Sequence, residues 1–68
     1  MKIVLNGKEE FLEEPRNIEE FIAVRKWDSA TVVVELNSEI IGQEHWTNIV
    51  LRDDDRLEIL RFVGGGSA

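Results

Sequence analysis

The sequence predicts an α+β domain in which one helix covers one face of a mixed sheet of four or five strands. Short segments of alternating apolar and polar residues, a single segment with apolar residues at helical spacing, and turn residues between the segments support this prediction. The 68 residues suit one small domain with a single core. One helix is the smallest layer that covers the apolar side of such a sheet.

The chain opens with a predicted β-hairpin. Its first segment alternates and places Ile3 and Leu5 on one face, and Asn6-Gly7 is a strong signal for a two-residue type I′ turn. The next segment returns as an edge strand, with Phe11 as its main candidate for the core. Pro15 ends this strand, because proline cannot donate a ladder hydrogen bond.

A helix is predicted from Asn17 to Lys26. Asn17 suits the N-cap and Glu20 the capping-box position, because both side chains can bond backbone N–H groups that the first turn leaves unpaired. The residues expected on its core face are Ile18, Phe21 and Ile22, extended by Val24 or Trp27.

The second half of the chain is expected to complete the sheet. Residues 31–36 are the most β-prone and predict a central strand, whose core-facing residues are Val32, Val34 and Leu36. A short strand at 39–41, one helical turn at 43–46 and a further brief strand around 49–51 follow. The acidic residues 53–55 form a tight turn before the last strand.

The last strand is predicted over residues 56–63, with Leu57 and Ile59 facing the core. If the first and last strands meet at the centre of the sheet, they run parallel to each other, and the helix belongs to the connection between two hairpins. That architecture is a β-grasp, or ubiquitin-like, fold.

An apolar patch is expected to lead into a flexible tail. The core does not need Leu60, Phe62 and Val63, so these side chains predict a surface that binds partner proteins. Residues 1–63 form the predicted domain, and residues 64–68 form the tail. Three glycines let the tail enter a narrow tunnel in another protein, because glycine has no Cβ to meet the tunnel walls.

Composition excludes several classes of function. The net charge of −6 arises from 14 acidic and 8 basic residues without a block of Lys or Arg, so nucleic-acid binding is not expected. The chain has no cysteine, which rules out disulfides and a thiol nucleophile and suits a reducing cytosol. No apolar run approaches the roughly 20 residues of a membrane span. We therefore expect a soluble, cytoplasmic protein that binds no membrane.

No constellation of residues predicts catalysis or metal binding. The run Asp53-Asp54-Asp55 lacks the spaced ligands of a calcium loop, and His45 has no second histidine or cysteine with which to hold a metal. The glycine run lacks the following helix that a phosphate-binding loop needs. We therefore predict a protein that is not an enzyme and that binds neither a metal nor a cofactor.

Several motifs occur together in a chain of this length. They are Leu5-Asn6-Gly7, the helix with Ile18 and Phe21-Ile22, Glu39-Ile40-Ile41 followed by Trp46, Asp53-x-Asp55, and Phe62-Val63-Gly64-Gly65-Gly66. In this combination the chain resembles the ThiS family, the sulfur carrier proteins of thiamin biosynthesis, over essentially its whole length. A terminal Gly-Gly alone is shared with ubiquitin and the small subunit of molybdopterin synthase.

The resemblance implies a β-grasp fold and a reactive carboxylate on Gly66, with Gly65 as its unhindered neighbour and Gly64 in the tail. An E1-like adenylating enzyme of the ThiF type would activate that carboxylate with ATP. A cysteine desulfurase system would supply the sulfur of a thiocarboxylate, and a thiazole synthase of the ThiG type would receive it. Ser67-Ala68 depart from the family pattern, so either a protease removes them or they are not native.

Other functions remain open at this point. The tail has the composition of a flexible linker. A carrier of the molybdopterin-synthase small-subunit type and a protein modifier that is transferred to lysine would share the fold and the tail. A β-grasp module that only binds other proteins would not need the glycines at all.

Overall fold

The computed structural model describes residues 1–62, which form a five-stranded sheet with one α-helix. The strands are β1 Lys2–Leu5, β2 Lys8–Phe11, β3 Val32–Leu36, β4 Glu39–Ile41 and β5 Arg56–Arg61. Helix α1 spans Ile18–Val24, and two short 3₁₀ helices span Ser29–Thr31 and Gln43–Asn48. The strand order is β2-β1-β5-β3-β4, with β1 and β5 parallel and the other neighbours antiparallel. This is the predicted β-grasp arrangement.

The first hairpin has the predicted turn. Asn6 and Gly7 have φ angles of 50° and 85°, as a type I′ turn requires at its two central residues. This two-residue turn fixes the register of the hairpin, so Ile3 lies opposite Glu10. Ile3 is buried, and its partner Glu10 therefore lies on the core face.

The prediction that Phe11 enters the core is wrong. Phe11 is the next residue after Glu10, so it points to the opposite face, and its side chain is 74% exposed. Leu12 instead packs against the core from this segment. Glu10 is accommodated on the core face because it forms an ion pair with Arg25, which follows α1.

Helix α1 begins with the predicted cap. The Asn17 side chain accepts a hydrogen bond from the backbone N–H of Glu20, and the Glu20 carboxylate accepts one from the backbone N–H of Asn17. The helix ends at Val24, and Lys26 has a φ of 60°, a left-handed conformation typical of a residue just past a helix end. The buried residues of the helix are the predicted ones, Ile18, Phe21 and Ile22. Trp27 extends this contact, whereas Val24 is exposed.

The second hairpin joins β3 to β4 through Asn37 and Ser38, which both have positive φ angles. Strand β3 lies inside the sheet as predicted, with β5 between it and β1 at the centre. Val32 and Val34 are buried, and Leu36 is half-buried against the same core.

The further strand predicted around residues 49–51 does not form. Val50 makes an isolated antiparallel bridge with Asn17, supported by hydrogen bonds from Ile18 N to Ile49 O and from Leu51 N to Arg16 O. The segment thus pairs with the chain that enters the helix rather than with the sheet. It still serves the core, because Leu51 is buried.

One hydrophobic core fills the space between α1 and the sheet. The core residues are Ile3, Ile18, Phe21, Ile22, Val32, Val34, Trp46, Leu51, Leu57 and Ile59. Trp46, from the second 3₁₀ helix, is almost fully buried and donates its indole N–H to the carbonyl of Ile41 at 3.2 Å. Among residues 1–62, none of the helices has the length and apolar character that crossing a membrane requires.

Candidate partner-docking site

Strand β5 carries the chain from the centre of the sheet to the glycine tail. The strand ends at Arg61, and the next residue bonds to the residue just before β3, because Phe62 N donates to Thr31 O at 2.8 Å. The predicted domain boundary at Val63 and the predicted site residues of the tail lie outside the described residues; these are Val63, Gly64, Gly65 and Gly66. The division into a domain and a flexible tail therefore stays a prediction.

Leu60 and Phe62 lie where the sequence placed them, on the face of β5 that points away from the core. Leu57 and Ile59 are buried on the inner face, whereas the side chains of Leu60 and Phe62 are each 63% exposed. Helix α1 packs on the inner face, so it does not cover these two side chains. They are available to another protein.

Neighbouring strands extend this apolar surface. Val33 of β3 lies directly opposite Leu60, and Ile40 of β4 is 72% exposed on the same outer face. We call the four residues Val33, Ile40, Leu60 and Phe62 the docking patch. Exposed apolar side chains grouped in this way are typical of a protein interaction site. The sequence identified two of the four, because the others required the pairing of β3 with its neighbours.

Asn6 holds the part of β5 that extends beyond the end of β1. Its side-chain amide donates to Ile59 O at 3.3 Å and accepts from Ile59 N at 2.8 Å. A single side chain thus replaces the strand that would otherwise pair with Ile59. The sequence identified Asn6 only as a turn residue, because the contact joins positions that are 53 residues apart.

An aromatic contact holds the end of β5 on the inner side of the sheet. The guanidinium carbon of Arg61 lies 4.7 Å from the centre of the Trp27 ring, and that of Arg25 lies 5.6 Å from it. Arg25 also lies over Phe21 at 4.3 Å. Cations stacked on aromatic faces in this way are modestly stabilising. No sequence signal pointed to this contact, which depends on where the chain turns after α1.

The side chains of the acidic turn accept hydrogen bonds from backbone N–H groups. Asp53 accepts a hydrogen bond from Lys2 N at 2.8 Å, and Asp55 accepts one from Arg52 N at 2.8 Å. The negative charges of Glu9 and Asp54 raise the pKa of Lys2. Within residues 1–62, no group of three or more His, Cys, Asp or Glu side chains is arranged to hold a metal ion.

Comparison with known proteins identifies the family. A family model described as the ThiS family matches residues 2–66. The chain belongs to the ThiS family. This membership agrees with the prediction that the chain is a small carrier protein.

Relatives and solved structures agree with this assignment. The sulfur carrier protein ThiS of Bacillus subtilis is 40% identical over 63 residues, which cover 91% of this chain and 96% of that protein. The crystal structure of the thiamine biosynthesis protein ThiS from Geobacter metallireducens matches with a TM-score of 0.82 at 33% identity. That match covers 97% of this chain and all of the Geobacter chain, and it confirms the β-grasp fold.

A longer relative carries a different name. The thiazole synthase of Paramagnetospirillum magneticum is 37% identical over 67 residues, which cover 98% of this chain. The chain spans only 21% of the length of that protein. A segment similar to this whole chain therefore occurs inside a larger protein named as a thiazole synthase.

Proposed function

We propose that this protein is the sulfur carrier of thiamin biosynthesis and that the sulfur is carried as a thiocarboxylate on Gly66. The observation that carries the proposal is the extent of the family match, which runs from residue 2 through Gly66, the last of the three glycines. Ser67 and Ala68 lie beyond the match. While they remain attached, Gly66 has an amide and no free carboxylate, so the carrier acts in the form that ends at Gly66.

The chemistry requires an activating partner. A carboxylate is a poor electrophile, so an E1-like adenylating enzyme of the ThiF type transfers AMP from ATP to the Gly66 carboxylate and releases pyrophosphate. A cysteine desulfurase system holds the sulfur as a persulfide, and a thiol reductant releases it as hydrosulfide while being oxidised to a disulfide. The hydrosulfide then attacks the carbonyl carbon, and AMP leaves. The carrier itself supplies no acid, base or thiol, which agrees with a chain that has no cysteine. ATP is thus a substrate of the partner and is not held by the carrier.

A thiazole synthase of the ThiG type is the proposed acceptor of the sulfur. The relative from Paramagnetospirillum magneticum supports this assignment, because it joins a segment similar to this chain to a protein named thiazole synthase. The thiazole synthase of Magnetococcus marinus gives the same support, with 32% identity over 66 residues. Covalent linkage of a carrier segment to a synthase raises the effective concentration of each for the other, which favours two proteins that act together. The same two relatives favour thiamin biosynthesis over a molybdopterin-type pathway.

Intact mass spectrometry tests the proposal. The chain ending at Gly66 is incubated with a purified ThiF-type enzyme, ATP and a sulfide source. The expected product has the mass gain that follows when one carboxylate oxygen is replaced by sulfur. A matched sample without ATP should show no gain, and the chain that still ends in Ser67-Ala68 should also remain unchanged.

Two results would contradict the proposal. If the chain ending at Gly66 keeps its original mass while an established carrier gains sulfur in the same reaction, it is not a sulfur carrier of this type. If the chain instead becomes linked to lysine side chains, it is a protein modifier. Transfer of sulfur from the thiocarboxylate to a thiazole synthase reaction then separates the thiamin pathway from other sulfur-transfer pathways.

A further inference from the structure

The outer face of the sheet contains an unusual pair of charges beside the docking patch. Glu35 of β3 and Glu58 of β5 are directly opposite each other in the antiparallel ladder. Like charges in this position destabilise a sheet. Arg56 lies on the same face of β5, two residues before Glu58, but neither glutamate forms an ion pair with it or with any other described residue.

A small open cavity lies on this face, and both glutamates contribute to its lining. Its volume is about 120 Å³, and its lining residues are Val33, Glu35, Ile40, Glu58 and Leu60. Three of them are apolar members of the docking patch, so the carboxylates stand inside an apolar surface. A ligand for this cavity needs an apolar body and a positively charged end. Lysine and arginine side chains have this construction, because an aliphatic stem carries the charged group.

We propose that the cavity receives an arginine side chain of the partner protein that docks on this face, namely the adenylating enzyme. The aliphatic stem of the arginine packs on Val33 and Leu60, and its guanidinium lies between Glu35 and Glu58. A guanidinium presents several N–H donors in a planar fork, so it can bond two carboxylates at once, whereas a lysine ammonium acts as a compact point charge. The inference rests on the proposed function, because that function supplies the partner.

The position of the cavity connects it with the tail. Leu60 lines the cavity, and Phe62, two residues further along the chain, follows the end of β5 and precedes the tail by one residue. A partner that holds the tail therefore also covers this part of the sheet. Once water is excluded, the attraction between the guanidinium and the two carboxylates strengthens, and the repulsion within the glutamate pair is neutralised. The pair thus favours the complex over the free carrier.

Charge-neutral variants of the two glutamates test the inference. Affinities for the ThiF-type enzyme are measured by calorimetry for the wild-type chain ending at Gly66 and for Glu35→Gln, Glu58→Gln and the double variant. The matched control is Glu39→Gln, which removes the same charge from an exposed position of the neighbouring strand β4. We expect each single variant to weaken binding about fivefold or more, and the control to change it by less than about twofold.

Two further readouts sharpen the test. The loss of affinity should shrink when the salt concentration is raised to about 0.5 M, because salt screens charge interactions. The melting temperature of the double variant should equal or exceed that of the wild type, because removal of a like-charge pair relieves repulsion. Weaker binding without loss of stability places the effect at the interface.

The outcomes distinguish this inference from the proposed function. If the wild-type chain neither binds the enzyme nor gains sulfur, the proposed function is overturned and the inference fails with it. If the wild type binds and gains sulfur but the glutamine variants bind as tightly as Glu39→Gln, only the arginine site is overturned. A loss of affinity that is equally large in Glu39→Gln also overturns it, because the effect then follows net charge rather than this cavity.

Discussion

The side chain of Asn6 pairs with the backbone of Ile59 as a neighbouring strand would. It accepts a hydrogen bond from Ile59 N and donates one to Ile59 O. Strand β1 pairs with β5 only through Val4 and Leu5, so this amide continues the ladder where β1 has already turned into the hairpin. Asn6 therefore serves two purposes, since it forms the turn with a φ of 50° and also holds the strand that leads to the tail.

Replacement of Asn6 by glycine tests the contact with Ile59 separately from the turn. Glycine tolerates the positive φ, so the variant Asn6→Gly loses mainly the two hydrogen bonds to Ile59. We expect the free energy of unfolding to fall by about 1 to 3 kcal/mol. Urea denaturation measures the loss, and faster amide hydrogen exchange at Ile59 should accompany it. Unchanged exchange at this amide would show that the side chain does not hold the strand.

Each of the two hairpin turns contains a residue with a positive φ, and in one turn that residue is a glycine while in the other it is a serine. Gly7 has a φ of 85°, and a Cβ placed there would meet no heavy atom within 4 Å. Gly7→Ala should therefore cost only the backbone strain of a left-handed residue, about 1 kcal/mol. Ser38 has a φ of 74° and already bears that strain, so Ser38→Gly should stabilise the domain by about 0.5 to 1 kcal/mol. Melting temperatures of the two variants should shift in opposite directions.

Most of the fold was predictable because its signals are local. The turn at Asn6-Gly7, the capping box from Asn17 to Glu20 and the alternation along β3 each depend on residues that are close in sequence. The parallel pairing of β1 with β5 was also predicted, because a single helix between two hairpins leaves few ways to bury both apolar faces.

Long-range register limited the prediction of the site. Exposure of Leu60 followed from alternation along one strand, but the opposition of Glu35 and Glu58 depends on how β3 aligns with β5. The wrong prediction that Phe11 enters the core has a different origin. The two-residue turn fixes the register of the first hairpin, so counting from Ile3 would have placed Glu10, and not Phe11, on the core face. The aromatic character of Phe11 favours the core, but alternation decides which face it occupies.

Neighbouring residues of the first hairpin provide a test of that register. Phe11 is exposed, so Phe11→Ser should change the free energy of unfolding by no more than about 0.5 kcal/mol. Leu12 packs against the core, so Leu12→Ala should lower it by about 1 to 2 kcal/mol. Chemical denaturation of both variants measures the difference. A larger loss in Phe11→Ser than in Leu12→Ala would mean that the register is shifted by one residue.

The last prediction concerns Leu60 and Phe62, which we expect to contact both the adenylating enzyme and the thiazole synthase. Both side chains are exposed in the free carrier, so burying them at an interface removes apolar surface from water and favours the complex. The double variant Leu60→Ser/Phe62→Ser should make the free energy of binding to each partner less favourable by about 2 to 4 kcal/mol in total. Its melting temperature should change little, because neither side chain belongs to the core.

Phe11→Ser supplies the matched control for this variant. Phe11 is an exposed aromatic residue on the same outer face, but the pairing of β2 with β1 places it at the end of the sheet remote from the tail. It should therefore leave partner affinity unchanged, while the double variant weakens binding and slows thiocarboxylate formation at limiting carrier concentration. Full affinity in the double variant would rule out docking through these two residues. A sharp fall in its melting temperature would show instead that the two side chains stabilise the fold.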